Sequence, residues 1–369
     1  MSSKSIISSS ATASNSSPCM SRQPETGEVT YTSDAAVQEA YDTLHATFRT
    51  GITKSLQWRS WQLKQLWWLL EDNESSLLRS LQHDLNRHDV ESYSSDLVGV
   101  KQDILKHLQH LEKWAADSYP DAGFLFGTLG KARIRKEPLG VVLVIGAWNF
   151  PFLLLLQPML AAISAGNCVM IKPSELAPAS SRVLEELIPK YMDQYAVRLV
   201  TAGPKEMQPI LERKFNHIFF TGSALVAKRI AAAAAKHLTP IVLELGGQGP
   251  AIVTKTANID LAAKRIAFVK WINAGQICLT INHVFAEAEI YDELVQRMGS
   301  WFDVYKKEAR YVKIVNDRNF DRLIDYLGDT AGKVVYGGRN DRASGYLEPT
   351  IVTNVDMSGM WRDPCDGRC

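Results

Sequence analysis

The sequence has few cysteines, no surplus of one charge and no cluster of metal ligands. Its five cysteines are scattered over 369 residues, with neither C-x-x-C zinc spacing nor the pattern of a disulfide framework. They are Cys19, Cys168, Cys278, Cys365 and Cys369. The 41 lysines and arginines balance 40 aspartates and glutamates, for a net charge of +1. Because no basic run with interleaved aromatics occurs, nucleic acid is not an expected partner.

The sequence also lacks an uninterrupted apolar run long enough to cross a membrane. The best candidate covers residues 141–166 and is broken in the middle by Gly146, Trp148, Asn149 and Pro151. A break of this kind predicts a short buried strand followed by a helix of roughly fourteen residues. We therefore expect no membrane anchor in this chain.

The amino-terminal segment is rich in serine and poor in large apolar side chains. This composition predicts a disordered tail over residues 1–34. The tail has neither the apolar core of a secretion signal nor the cations of a strong mitochondrial presequence. Together with the unpaired cysteines, this predicts a cytoplasmic protein.

The spacing of apolar residues divides the rest of the chain into a helical part and an alternating part. Three- and four-residue spacing predicts helices from Ala35 to Ala116. After Pro138, short apolar runs predict buried strands with helices between them. The predicted strands are Val141–Ile145, Cys168–Ile171, His217–Phe220 and Ile241–Leu245. This order predicts an α/β fold with a doubly wound parallel sheet, which binds ligands at the carboxyl ends of its strands.

Polar side chains follow the first two predicted strands. Asn149 carries an amide that can donate to an oxyanion, although an Asn-x-Pro triplet also marks an ordinary turn. Lys172 and Glu175 follow the second strand, where an ammonium and a carboxylate could hold ribose hydroxyls. A solvated loop explains the second pair equally well.

Small and acidic residues follow the other two predicted strands. Ser223 begins a predicted helix that runs to Lys236, so its hydroxyl and the free N–H groups could face an anion such as pyrophosphate. Simple helix capping is the alternative explanation. Glu244 is the last residue but one of the fourth strand, and Gly246 and Gly247 after that strand permit a close approach of backbone to a ligand.

Cys278 is the strongest candidate nucleophile. A thiol reacts as the thiolate, and Glu244 is a carboxylate that could accept its proton directly or through water. The alternative is that Cys278 is a small buried apolar residue, as most lone cysteines are. A metal is not predicted: His107 and His110 lie one helical turn apart, but no third ligand is recognisable, which favours a solvated helix face.

These motifs, taken in order, resemble the aldehyde dehydrogenase family, and its class 3 or fatty aldehyde branch in particular. The resemblance runs from about Val37 to Thr353. The motifs that carry it are Glu137–Pro151, Ile171–Glu175, Phe220–Ser223, Leu243–Gly247 and Asn273–Cys278. It implies an NAD-binding domain over residues 35–245 and a second α/β catalytic domain that begins at residue 246.

The resemblance implies a two-step oxidation of an aldehyde to a carboxylic acid. Cys278 would attack the aldehyde, the Asn149 amide and the Cys278 backbone N–H would hold the oxyanion, and Glu244 would activate water to hydrolyse the thioester. The implied cofactor-binding residues are Lys172, Glu175, Gly222, Ser223 and Gly246. Because the Glu175 carboxylate would resist a 2′-phosphate, NAD is the expected cofactor and NADP the alternative.

The substrate implied is a small-molecule aldehyde. Phe150 and Phe152 beside the Asn149 loop hint that it is apolar, although core packing would explain both rings equally well. A variant reaction that passes the acyl group to coenzyme A is disfavoured, because Glu244 would activate water instead.

The chain departs from the family pattern in two places. Ala227 stands where the family commonly has glycine, and residues 358–369 lack the family's E-[EI]-x-F-G-P segment and show no strand or helix period. We therefore expect an incomplete catalytic domain over residues 246–357, an anomalous tail after it and an impaired family dimer. The alternative function is a catalytically inactive NAD-binding fragment.

Overall fold

The computed structural model describes residues 30–308 and 310–355. The predictions for residues 1–29 and for the tail over residues 358–369 therefore lie outside the described residues. The first helix begins at Asp34, at the end of the segment predicted to be a disordered tail.

The amino-terminal part is helical, as the apolar spacing predicts. Ser33 caps the first helix by accepting a hydrogen bond from the N–H of Ala36, and Gly51 ends it in the left-handed conformation at φ 77°. The helices are α1 (Asp34–Thr50), α2 (Leu56–Asp72), α3 (Glu74–Leu85), α4 (Asp89–Ser92) and α5 (Val98–Ala115), with a π-helical turn over Tyr93–Leu97 before α5. The apolar faces of α2, α3 and α5 are buried against the sheet region, which gives these helices a structural role.

A five-stranded parallel sheet forms the centre of the structure. Its strand order is β3-β2-β1-β4-β5, so the chain winds outward in both directions from β1. The strands are β1 (Val141–Ile145), β2 (Cys168–Lys172), β3 (Val197–Leu199), β4 (His217–Gly222) and β5 (Ile241–Leu245). The helices between them are α6 (Leu153–Ser164), α7 (Pro178–Tyr191), α8 (Met207–Leu211) and α9 (Ala224–Ala235). The predicted doubly wound sheet is confirmed.

Strand β1 shows why this part of the sequence is so apolar. Val142 and Val144 pack into one apolar cluster, while Leu143 and Ile145 pack into a second cluster on the opposite face. A strand buried on both faces reads as a continuous apolar run. The candidate membrane span over residues 141–166 is therefore a central strand and a buried helix.

The structure differs from the strand prediction in length and in one omission. β2 extends to Lys172 and β4 extends to Gly222, so both residues end a strand rather than follow it. β3 was not predicted, because it has only three residues and the charged Arg198 in its centre hides the apolar pattern.

The carboxyl-terminal part contains a second set of strands and helices. β6 (Gly249–Val253) pairs in parallel with β7 (Ile281–Ala286), and the helix between them packs on the helix that follows β7. The helices are α10 (Ile259–Trp271), α11 (Tyr291–Glu308) and α12 (Asp317–Gly328), and the short strands are β8 (Lys333–Tyr336), β9 (Asn340–Asp341), β10 (Tyr346–Leu347) and β11 (Ile351–Thr353). These elements enclose their own apolar cluster, although the boundary between residues 245 and 246 stays a prediction.

The two histidines of α5 make packing contacts with Trp114. The Nδ1 atom of His107 lies 2.8 Å from the hydroxyl of Ser164, and its ring packs edge-on against Trp114. Burial lowers the pKa of His107, so this half-buried side chain belongs to helix packing rather than to a solvated face. Within residues 30–308 and 310–355, no three histidine, cysteine, aspartate or glutamate side chains form a group that could hold a metal ion.

Among the helices of the described residues, none has both the length and the apolar composition required to cross a membrane.

Removal of apolar volume from the helix–sheet core should destabilise the protein. Leu66 of α2 is 0% exposed, so Leu66→Ala should lower the free energy of unfolding by roughly 2–5 kcal/mol. Leu105 of α5 is 53% exposed, and Leu105→Ala should change the free energy of unfolding by less than about 0.5 kcal/mol. Urea unfolding followed by tryptophan fluorescence measures both values. Equal losses would contradict the assignment of the α2 face to the core.

Candidate active site

One cleft at the carboxyl edge of the sheet brings the predicted site residues together. Its volume is about 1870 Å³, more than a single small ligand fills, so it has room for a dinucleotide and a second substrate. The predicted residues that line it are Asn149, Lys172, Glu175, Gly222, Ser223, Glu244, Gly246 and Cys278. The parallel sheet explains the first seven, because the carboxyl ends of β1, β2, β4 and β5 lie at one edge.

Lys172 and Glu175 form an ion pair at the end of β2. The Nζ atom of Lys172 lies 2.5 Å from Oε2 of Glu175, and Lys172 is only 5% exposed. An ammonium so deeply buried is rare without a partner. The pair is therefore part of the cleft wall, not a loop surrounded by solvent.

Ser223 and Gly222 shape the entry to α9. The Ser223 hydroxyl accepts a hydrogen bond from the N–H of Val226 at 3.4 Å, so the capping explanation describes its side chain. The first turn of α9 nevertheless opens into the cleft beside it. A Cβ atom on Gly222 would lie 2.4 Å from the ring of Phe220, so a side chain at this position would require that ring to move.

The segments that carry Glu244 and Cys278 contact each other at the glycines that follow β5. A Cβ atom on Gly247 would lie 3.3 Å from the carbonyl oxygen of Cys278, and Asn282 donates a hydrogen bond to the carbonyl of Gly247 at 3.1 Å. The segment after β5 thus packs directly on the Cys278 segment. Glu244 is exposed to the cleft, and Cys278 is half-buried.

The surroundings of Cys278 oppose ionisation of its thiol. Burial is the main effect that raises the pKa of Cys278, and the negative charge of Glu244 raises it further. Hydrogen bonding by the backbone N–H groups of Cys278 and Leu279 lowers it in part. The resting Glu244 carboxylate therefore disfavours the thiolate, and any role as a base requires it to take up a proton during the reaction.

Asn149 is anchored to the segment that leads to Cys278. Its Nδ2 atom donates a hydrogen bond to the carbonyl of Gln276 at 3.0 Å. An amide nitrogen carries two hydrogens, so the second one remains for an oxyanion in the cleft. The predicted donor, Asn149, is thus bonded to a residue that precedes the predicted nucleophile, Cys278, by two positions.

Sequence reasoning missed the residues that build this scaffold. Arg87 donates hydrogen bonds to the carbonyl of Asn149 and to Oδ1 of Asn273, and Asn273 donates to the carbonyls of Asn149 and Gln276. Asn273 and Gln276 lie inside a recognised motif, but their spacing suggests no role. No local pattern marks Arg87, which precedes Asn149 by 62 positions.

Thr221 and Lys270 also line the cleft without having been predicted. The Thr221 hydroxyl is buried and has no hydrogen-bond partner among the described residues. Burial lowers the pKa of Lys270 to about 8, and its ammonium group contacts Oδ1 of Asn282 at 3.3 Å. Both groups present polar atoms to a space large enough for a ligand.

Packing explains the two phenylalanines, Phe150 and Phe152, that the sequence links to an apolar substrate. Phe152 is fully buried in the main apolar cluster, and Phe150 is 9% exposed with its ring centre 5.0 Å from the Arg87 guanidinium carbon. Core packing therefore accounts for both rings, and neither supports an apolar substrate.

A cysteine, a side-chain amide and a carboxylate at the edge of a doubly wound sheet form a candidate α/β enzyme site of the thiol type. The model of the aldehyde dehydrogenase family matches residues 7–361. The chain therefore belongs to the aldehyde dehydrogenase family.

Two curated relatives show the branch of the family to which the chain is similar. It is 40% identical over 323 residues to beta-apo-4′-carotenal oxygenase of Neurospora crassa, covering 86% of this chain and 60% of that protein. It is 37% identical over 318 residues to aldehyde dehydrogenase family 3 member A2 of Rattus norvegicus, covering 85% of this chain and 65% of that protein. The predicted class 3 branch is confirmed, and the chain spans less than two thirds of the length of these relatives.

A solved structure shows the same fold. The substrate-bound AldH of Staphylococcus aureus is 32% identical to this chain and superposes with a TM-score of 0.84. The match covers 90% of this chain and 74% of that one. The second α/β part is therefore the family's catalytic domain, as the sequence predicts.

The electrostatic effect of Glu244 on the thiol can be measured without any substrate. Because the Glu244 charge raises the pKa of Cys278, Glu244→Gln should increase the thiolate fraction. Alkylation of Cys278 by iodoacetamide at pH 7.5 should then be roughly two- to tenfold faster, as read by peptide mass spectrometry.

The matched control is Glu186→Gln, which neutralises an exposed carboxylate on α7. It should leave the alkylation rate unchanged. A slower reaction in Glu244→Gln would mean that the carboxylate activates the resting thiol.

Proposed function

We propose that this chain oxidises an aldehyde to a carboxylic acid with NAD as the cofactor and NADP as the alternative. The observation that carries the proposal is the convergence of Cys278, Asn149 and Glu244 on one cleft that also holds the Lys172–Glu175 pair. A nucleophile, an oxyanion donor and a base are the three groups that this oxidation requires.

In the first step the Cys278 thiol loses its proton to water in the cleft, and the resulting thiolate adds to the aldehyde carbon. A bond forms between Sγ and carbon, and the carbonyl oxygen becomes an oxyanion. The free hydrogen of the Asn149 amide and the backbone N–H of Cys278 donate to that oxygen. Because Asn149 is already bonded to Gln276, its amide is held in place before the substrate arrives.

The second step releases the acid. Loss of hydride from the adduct leaves a thioester on Cys278, and Glu244 then removes a proton from water while the water oxygen attacks the acyl carbon. The carbon–sulfur bond breaks, and the thiolate of Cys278 is restored. The exposure of Glu244 to the cleft is consistent with a carboxylate that must contact water. Because Glu244 would activate water to hydrolyse the thioester, transfer of the acyl group to coenzyme A is disfavoured.

The residues present fit a dinucleotide. Lys172 and Glu175 would hold the adenosine ribose, and Gly222, Ser223 and Gly246 would hold the pyrophosphate at the open turn of α9. The unpartnered Thr221 hydroxyl supplies a further polar atom deeper in the cleft. The dinucleotide would supply the acceptor for the departing hydride. Because Lys172 balances the charge of Glu175, a 2′-phosphate is not strongly repelled, and NADP stays as the alternative.

We extend the proposal to an apolar aldehyde. Ile277 is partly exposed and lines the cleft beside Cys278, and its side chain is apolar. A cytoplasmic location completes the proposal, because the reaction needs a reduced thiol and both described cysteines, Cys168 and Cys278, are free.

The nucleophile is tested by Cys278→Ala. This variant should lose aldehyde-dependent NADH formation completely, because no other thiol lines the cleft within the described residues. The measurement is absorbance at saturating NAD with a medium-chain aldehyde, on monodisperse protein. Cys168→Ala is the matched control: burial raises the pKa of Cys168 to about 12, and this variant should keep its activity. Full activity in Cys278→Ala would refute the mechanism.

The base is tested by Glu244→Gln in rapid-mixing experiments. The amide cannot take the proton of water, so hydrolysis of the thioester should slow by roughly a hundredfold or more while the first NADH still forms. A burst of about one NADH per Cys278, followed by a slow phase, is the expected time course. Loss of the burst itself would assign Glu244 to the first step.

The wild-type chain separates the proposed enzyme from its inactive alternative. Folded protein that binds NAD in calorimetry but forms no NADH with any aldehyde tested would be a catalytically inactive NAD-binding chain.

A further inference from the structure

Arg87 is a fully buried cation that contacts both halves of the candidate site. We propose that Arg87 is a positioning residue: its guanidinium fixes the loop that carries Asn149 against the segment that carries Cys278. The inference rests on the proposed function, since it assigns Arg87 a role in aldehyde oxidation.

The guanidinium uses its two terminal nitrogens for different tasks. Nη1 donates to Oδ2 of Asp96 at 2.5 Å. Nη2 donates to the carbonyl of Asn149 at 2.5 Å and to Oδ1 of Asn273 at 2.6 Å, which occupies both of its hydrogens. A planar fork can hold three acceptors in fixed directions, and the single ammonium of lysine cannot reproduce that geometry.

Asp96 carries the same network to the start of α6. Its Oδ1 atom accepts hydrogen bonds from the backbone N–H groups of Phe152 and Leu153, both at 3.0 Å. Burial raises the pKa of Asp96, and the adjacent Arg87 charge lowers it, so the two buried charges depend on each other. Arg87 thus binds the loop at Asn149, and Asp96 binds its other end at Phe152 and Leu153.

On the other side, Arg87 stabilises a strained turn before the nucleophile. Asn273, Ala274 and Gly275 have φ values of 52°, 52° and 72°, three successive residues in the left-handed region. Alanine is disfavoured there, so this backbone persists only where its surroundings fix it. The Asn273 side-chain oxygen accepts a hydrogen bond from Arg87, and the backbone N–H of Asn273 donates to Oε1 of Glu91 at 2.7 Å.

The consequence is a defined distance between donor and nucleophile. The Oδ1 atom of Asn273 accepts a hydrogen bond from Arg87. The Nδ2 atom of Asn273 donates hydrogen bonds to the carbonyls of Asn149 and Gln276, at 3.1 Å each. Asn149 also bonds Gln276 directly. Loss of the guanidinium fork would free the Asn149 carbonyl and the Asn273 amide together, and the Asn149 donor would move relative to Cys278. Displacements of about 1 Å in such a group can cost a hundredfold in rate.

Arg59 provides a matched control. It is also buried, at 7% exposure, but its guanidinium donates to the carbonyls of Thr53, Lys54 and Ser164, none of which lines the cleft. Arg59→Lys therefore reproduces the loss of a buried fork at a position away from the site.

The test is a double-mutant cycle between Arg87→Lys and Asn149→Ala. Arg87→Lys should lower kcat roughly 10- to 100-fold with KM for NAD changed less than about threefold, because the cofactor residues are not in the network. In the Asn149→Ala background the same substitution should lower kcat less than about threefold, because the group it positions is gone. Arg59→Lys should show equal small effects in both backgrounds. The inference would be overturned if Arg87→Lys lowered kcat by the same factor in the wild-type and Asn149→Ala backgrounds. It would also be overturned if Arg59→Lys lowered kcat as much as Arg87→Lys does.

Amide hydrogen exchange tests the inference without activity. Arg87→Lys should increase exchange at least roughly tenfold in peptides covering residues 147–153 and 272–280, and leave α11 unchanged. Unchanged exchange in both peptides would overturn the positioning role. If wild-type protein oxidises no aldehyde, the proposed function fails, and this measurement still decides whether Arg87 holds the two segments together.

Discussion

The parallel direction of all five main strands is the constraint on which the rest of the structure depends. Since parallel strands end at the same edge, residues that are far apart in sequence meet there without any further device. Lys172, Gly222 and Glu244 each end or nearly end a strand, and the Asn149 loop follows β1. The apolar residues that force β1 into the centre of the sheet therefore also determine where the polar chemistry lies.

Cys278, the proposed nucleophile, reaches this edge by a different route. Cys278 lies after α10, outside the main sheet, and two contacts hold it in place: the glycine approach at Gly247 and the polar network around Asn273. The network is costly in isolation, because it buries the charges of Arg87 and Asp96 and fixes a left-handed turn. Most of its polar atoms are paired within the network, although the Nε atom of Arg87 has no hydrogen-bond partner among the described residues, so the loss of any one member would leave further buried groups unpaired.

Electrostatics in the cleft keep the resting thiol protonated. Burial and the Glu244 charge both raise the pKa of Cys278, so the reactive form is the minor one before a substrate arrives. A carboxylate beside the thiol thus has opposite effects on the two chemical steps. It disfavours formation of the Cys278 thiolate, and in the proposed mechanism it would supply the base that activates water for release of the acid.

Much of this architecture follows from the sequence by itself. The limits of β1 and β5 match the predicted strands to the residue. β1 is buried on both faces, so no polar position interrupts its apolar run. The family and the eight predicted cleft residues follow from sequence motifs, seven of those residues from motifs at strand ends and Cys278 from the motif after α10. Only the tertiary structure decided which long-range partners complete the site: Arg87 reaches Asn149 across 62 positions, and no periodic pattern encodes such a contact. It also decided that Phe152 belongs to the core and that Glu244 opposes the thiolate, because burial and charge proximity are properties of the packed chain.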